Sequence, residues 1–246
     1  MDPTVAPQDG AQNSNLALAE IRRLIDRLIA AGDQRLPPER RLAEDFKVGR
    51  RAVRRALEVL DAEGVLRRRH GSGNFIALRS GPPVAEPPGE TALFDIAERS
   101  TPIEVMEVRL HVEPALARLA ALKARRDDIE QLRRLADKAA ASEDADGHEL
   151  WDGAFHRKIA QAAGNSLFLA LFDAVDHVRE HQPWRVLRQR ARSQARHAVY
   201  IEHHERIVQA IAARDAMAAG AAMREHLRAL QEALTACLTE DGNDGG

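Results

Sequence analysis

Asp152 and His156 lie four residues apart in a stretch of helical periodicity, so a carboxylate and an imidazole share one helix face. His204 precedes Asp215 by eleven residues and His226 follows it by eleven. Two antiparallel helices joined at Arg214-Asp215 would hold these imidazoles at one height, roughly 16 Å from the turn. Three imidazoles and one carboxylate suit a divalent transition metal, Zn or Ni, with a position left for water or a ligand oxygen. His203, one residue from His204, is turned about 100° away and is expected on the surface. A second chemistry sits near the start of the chain. Arg50, Arg51, Arg54 and Arg55, with Lys47 before them, form a cationic cluster with no acid among them. Such a cluster suits phosphate contacts, with arginines left to pair with guanine edges. Arg109 stands four before Glu113, the spacing of a helical ion pair worth a few tenths of a kcal/mol. The run Arg185, Arg188, Arg190, Arg192 and Arg196 reads as a solvated face or dimer contact, or as part of a cationic mouth.

The elements that must position these groups follow from periodicity and punctuation. The 246 residues allow two domains. With 30% charged and 4% aromatic residues, the composition favours helices over a sheet-dominated fold. Charge is unevenly spread: Ala11 to Ser80 carries 15 Lys plus Arg against 9 Asp plus Glu, and Gly81 onward 21 against 27, so the front end is the part expected to meet a polyanion. Residues 1–13 read as a disordered arm, 14–79 as a DNA-binding domain, 80–93 as a proline-rich and glycine-rich linker, 94–238 as a helical domain and 239–246 as a tail. Within the first domain, Leu18, Ile21, Leu24, Ile25, Leu28 and Ile29 line one helix. A short helix follows Pro37-Pro38, and a third, from Gly49 to Ala62, turns Val53, Ala56, Leu57 and Leu60 inward. Val65–Arg69 and Asn74–Ala77 flank His70-Gly71-Ser72-Gly73 as a hairpin. Thr101-Pro102-Ile103-Glu104 is a capping box opening the first of several long helices. The expected fold is therefore mainly α: a winged helix-turn-helix of three helices and a small β-hairpin, then an all-α antiparallel bundle. With one cysteine, Cys237, no secretory start and no apolar stretch of bilayer length, the reading is a cytoplasmic protein without a membrane partner.

Leu36-Pro37-Pro38-Glu39-Arg40-Arg41-Leu42-Ala43, Val48-Gly49-Arg50, Glu63-Gly64 and His70-Gly71-Ser72-Gly73-Asn74-Phe75-Ile76 resemble the winged helix-turn-helix of GntR-family regulators. The resemblance implies DNA contacts from Arg40, Arg50, Arg54, His70 and Gly71, to which the cationic cluster adds Arg51. Pro38 and Gly49 stand where that family usually has hydroxyl caps, and Arg51, Ala52 and Arg55 also depart from its pattern, so the operator sequence cannot be copied from relatives. Farther along, Glu107-Val108-Arg109, Glu113-Pro114, Asp152-Gly153-Ala154-Phe155-His156, Glu202-His203-His204-Glu205-Arg206-Ile207 and Met223-Arg224-Glu225-His226-Leu227 resemble the FCD effector domain of the FadR branch. That resemblance implies Asp152, His156, His204 and His226 as metal ligands and Arg109 as the residue that holds a small carboxylate effector. It further implies a homodimer on a pseudo-palindromic double-stranded operator, acting as a repressor of a carbohydrate-acid or organic-acid operon and not as an enzyme. Two alternatives stay open at this point: a metal-dependent enzyme of the bundle, and an acyl-responsive regulator without metal.

Overall fold

The computed structural model describes residues 14–69, 73–77, 100–179, 184, 187–188, 190–191 and 193–241. The chain divides into two compact units, Met1–Ser80 and Gly81–Gly246. The expected arm, the linker over 80–93 and the wing-tip residues His70 and Gly71 lie outside the described residues.

The first unit opens with α1 (Ser14–Ala30), which buries Ala17, Leu18, Ile21 and Ile25. Ile29, expected on that stripe, is exposed, because the helix ends a residue later, at Ala30, and the chain turns away at Gly32 with φ 75°. α2 (Glu39–Asp45) and α3 (Arg50–Ala62) follow. Neither Pro38 nor Gly49 supplies a side-chain cap. The turn between them carries Lys47 at φ 53°, a left-handed conformation that costs a residue with a Cβ about 1–2 kcal/mol. Burial of Val48 and its backbone hydrogen bond to Ala43 hold the turn. Val53, Ala56, Leu57 and Leu60 are fully buried beneath α1. β1 (Leu66–Arg69) and β2 (Gly73–Ile76) pair antiparallel with Leu66 opposite Ile76. The residues before α2 add an edge that periodicity does not reveal: Leu36 N donates to Asn74 O, and Ile76 N to Gln34 O.

One ion pair ties this unit together. Arg22 on α1 donates twice to Glu63 after α3, at 2.7 and 2.9 Å, and the Glu63 side chain is fully buried. Its removal leaves Arg22 partly buried and unpaired, but Arg22 is 22% exposed, so water recovers some of the loss and about 1–3 kcal/mol is expected. Glu63→Ala should therefore speed amide hydrogen exchange in α1 and α3 and leave the second unit unchanged.

Among the described residues the second unit's elements are all helices: α4 (Pro102–Lys123), α5 (Arg126–Ala140), α6 (Ala145–Ala162), α7 (Ser166–Arg179), α8 (Gln194–Ala212) and α9 (Ala216–Asp241). The last helix passes Leu238 to reach Asp241, longer than its sequence pattern suggests. The capping box forms: Thr101 Oγ1 accepts from Glu104 N, and Glu104 Oε2 accepts from Thr101 N. α4 packs on α9, α6, α8 and α7, while α5 packs on α6 and α8. α4 and α9 approach closely at Gly220, where a Cβ would stand 2.6 Å from Arg118 Cγ and 3.2 Å from Pro114 O. Arg214, with φ 62° in the α8–α9 turn, donates to Ala121 O and pins that turn to α4. Among the described residues no helix is long and apolar enough to cross a membrane.

Candidate metal centre and DNA-reading face

Three helices deliver the four expected ligands to one point. α6 supplies Asp152 and His156, α8 supplies His204 and α9 supplies His226; their donor atoms all lie within 4.8 Å of one another. Asp152 Oδ1 is 3.3 Å from His204 Nε2, 3.5 Å from His156 Nε2 and 4.0 Å from His226 Nε2. The last two nitrogens are 3.2 Å apart. Donors around one ion with bonds of about 2.0–2.2 Å stand roughly 3–3.5 Å apart, so the spacing fits a single small divalent cation. His204 Nε2 is buried and faces Asp152 Oδ1 at 3.3 Å without a well-directed hydrogen bond among the described residues, an arrangement that suits a lone pair and a carboxylate turned toward one ion. Burial pushes His204 below the ordinary imidazole range, and burial with the charge of its neighbours holds His226 well below it.

Behind the ligands stands Glu113, which sequence spacing links only to Arg109. Both groups are buried, and the pair forms, with Arg109 Nε donating to Glu113 Oε1 at 2.5 Å. The other oxygen, Oε2, accepts from His156 Nδ1 at 2.5 Å. That bond fixes the imidazole tautomer with Nε2 facing Asp152. Burial alone would raise the Glu113 carboxyl, but the charges of Arg109 and His156 outweigh it and hold the group at about 2. For His156 burial acts downward, yet the carboxylates of Glu113 and Asp152 win and its pKa is raised. Glu113→Gln keeps an acceptor but removes the charge that orients His156 and neutralises Arg109. Metal affinity should fall about 10–100-fold, read by competition with a chromophoric chelator.

The centre forms part of the wall of a cavity of about 620 Å³, reached by Arg109 from α4, Asp152 from α6, Arg179 from α7 and His204 from α8. His156 and His226 are not on its lining. His203 differs from its expected place. It is buried, 7% exposed, with its ring edge-on to His226 at 5.8 Å and its Nε2 3.7 Å from Glu225. The 100° turn removes it from the ligand set, but α9 covers that side of α8 as well. Within the run read as a solvated face, a dimer contact or a cationic mouth, Arg188 lines the cavity and pairs with Glu149, while Arg196 donates to Ala191 O. Arg185 and Arg192 lie outside the described residues.

On the first unit, Arg50, Arg51 and Arg54 are exposed along α3 and Arg40 along α2. Arg54 Nε is 3.8 Å from Glu39, and Arg40 Nη1 is 3.6 Å from Glu44. These are loose contacts on side chains 62% and 81% exposed, weak enough to yield to a phosphate. α3 thus presents a cationic outer face over a fully apolar inner one.

Residues 14–76 match the family described as bacterial regulatory proteins, gntR family, and residues 104–229 match the FCD domain. The chain belongs to the GntR family, in the branch that carries an FCD domain. The Uxu operon transcriptional regulator of Escherichia coli (strain K12) is 33% identical over 88% of this chain and 84% of its own length. The HTH-type transcriptional regulator LutR of Bacillus subtilis (strain 168) is 31% identical over 81% and 91%. A solved structure of E. coli McbR/YncC shares the fold at a TM-score of 0.50 and 16% identity, covering 89% of this chain and 97% of that one. This GntR–FCD protein is accordingly a DNA-binding transcriptional regulator. Within its FCD domain, sequence reasoning passed over two groups. Glu113 was legible only as half of an i,i+4 pair, since nothing in spacing announces a bond across 43 residues to His156. Arg179 carried no signal, being one arginine among many near a helix end.

Proposed function

We propose that this regulator is a cytoplasmic, homodimeric repressor released from a pseudo-palindromic operator by a small carboxylate bound in its FCD domain. One observation carries the reading: Arg109 Nη2 is buried without a hydrogen-bond partner among the described residues, and it lines the same cavity as Asp152 and His204. A guanidinium edge left open beside four converging metal ligands suits a carboxylate. A Zn or Ni ion held by Asp152, His156, His204 and His226 would supply a Lewis-acidic position for one ligand oxygen. Arg109 then takes the second oxygen, and Glu113 keeps Arg109 and His156 in place. Arg40, Arg50, Arg51 and Arg54 on the first unit, together with His70 and Gly71 of the wing, bind the operator. A relative from Escherichia coli (strain K12) described as a putative L-lactate dehydrogenase operon regulatory protein, 34% identical over 84% of this chain and 80% of its own length, supports control of an operon for a carbohydrate acid or organic acid. No catalytic step is assigned, because an ion used in this way holds a ligand. A coupling of about 1–3 kcal/mol between cavity and DNA suffices for a switch. Gel shifts on the gene's upstream DNA, with organic acids added in the presence and absence of chelator, test the whole scheme. Release by at least one acid, abolished by chelator, is expected; a shift unmoved by every acid overturns it.

A further inference from the structure

We infer that Arg35 and Arg67, on the outer face of the wing sheet, hold phosphates of operator DNA flanking the bases read by α3. Neither residue belongs to the cationic cluster of α3 or to the positions implied by the family pattern. The hairpin and the residues before α2 bring them together. Arg35 forms an antiparallel bridge with Phe75, and Arg67 is the register partner of Phe75 from the other side. Cross-strand partners project to one face of a sheet, so the two arginines flank one aromatic residue. Their chain neighbours Leu36, Leu66 and Ile76 are buried on the opposite face, which leaves both arginines exposed. The ring serves as a platform: Arg35 Cζ stands 6.0 Å from its centroid, within reach of a cation–π contact that restrains a long side chain. Arg40, Arg41 and Arg54 each face a carboxylate, whereas among the described residues neither the Arg35 nor the Arg67 guanidinium is paired with one. The closest acid in the chain, Asp33, turns Oδ1 to the Arg35 backbone N–H at 3.1 Å. Two unpaired guanidiniums suit phosphate oxygens, which each can take two at a time. Their place in the unit brings DNA within reach. Four residues lead from Arg35 to Glu39 at the start of α2, so the two Cα atoms are no more than about 14 Å apart, and Glu39 Oε2 lies 3.8 Å from Arg54 Nε. That span is close to the width of one major groove. Contacts so placed add affinity and fix the position of the protein on the duplex without reading sequence.

The test uses the full-length protein and two duplexes of equal length, the gene's upstream DNA and a shuffled version of it, with affinity read by fluorescence anisotropy across a salt series. Arg35→Gln combined with Arg67→Gln should weaken binding about tenfold on both duplexes and lower the slope of log affinity against log salt by about two. The ratio of the two affinities should keep its wild-type value, because phosphates carry no sequence information. Both side chains are exposed, so the melting temperature should not move, and Arg35→Lys combined with Arg67→Lys should restore most of the slope by restoring the charge. A wild-type slope in the glutamine variant, the result expected if the pair serves an acidic protein face instead, overturns the inference. A lower slope accompanied by a changed affinity ratio makes the pair base readers and overturns it as well. The inference rests on α3 as the reading element. That reading is judged by sequence preference in the α3 variants, and this one by the salt slope of the Arg35 and Arg67 variants, so either can fail without the other.

Discussion

His226→Ala protein should purify without bound divalent metal and melt about 10 °C below the metal-loaded wild type. The magnitude follows from linkage: an ion present at about a thousand times its dissociation constant stabilises the folded state by about 4 kcal/mol, which for a chain of this size is about 8–16 °C. His226 is fully buried, so truncation also leaves a cavity, and a lower melting temperature alone does not identify the cause. The diagnostic is the response to chelator, which should lower the melting temperature of the wild type to near that of the variant and leave the variant unchanged. Loading should also depend on pH. In the metal-free protein Glu113 and Asp152 raise the His156 pKa against the effect of burial, so the proton on His156 stabilises the empty site below the ordinary imidazole range and is lost as pH rises through the raised value. Metal must displace that proton, because a ligating imidazole is neutral. Affinity should therefore fall as pH is lowered from about 8 to about 6, with proton release on binding visible as a buffer-dependent heat.

Arg50→Ala combined with Arg54→Ala should weaken binding to the gene's upstream DNA about 100-fold or more, with the far-ultraviolet circular dichroism unchanged. Each arginine is exposed, so removal costs the fold little, whereas a bidentate guanine contact is worth about 1–3 kcal/mol. Which residue reads bases and which holds phosphate separates on salt. Loss of a phosphate contact lowers the slope of log affinity against log salt by about one, and loss of a base contact leaves that slope nearly intact and relaxes sequence preference. An unchanged affinity in the double variant would remove α3 as the reading element.

How far the sequence foretold these sites depends on the distance over which each interaction acts. The inner stripe of α3 and the Thr101 capping box were legible, since both are set by neighbours within one or two helical turns. The matched heights of His204 and His226 were legible too, because a single turn at Arg214 relates them and arithmetic along two helices suffices. Fates decided by packing were hidden. His203 was expected on the surface from its angle on α8, and α9 buries it. Ile29 follows the apolar period of α1 yet faces solvent, since the helix ends before anything covers it. The strand-like pairing of Gln34 and Leu36 with β2 lacks any alternation to betray it. Glu113 has an obvious partner four residues away and a second one across the bundle, and only the fold reveals the second.

The close approach at Gly220 bears on how such a centre is inherited. Gly220 lies six positions before His226 on α9, and across from it α4 carries Pro114, next to Glu113. A side chain at Gly220 displaces the Arg118 side chain and presses on the Pro114 carbonyl at 3.2 Å, so α4 and α9 must shift by a few tenths of an ångström beside Glu113. A substitution that touches none of the four candidate ligands could thus alter how closely they converge. What lineage must preserve is the register of two helices, and a list of retained histidines would not disclose its loss.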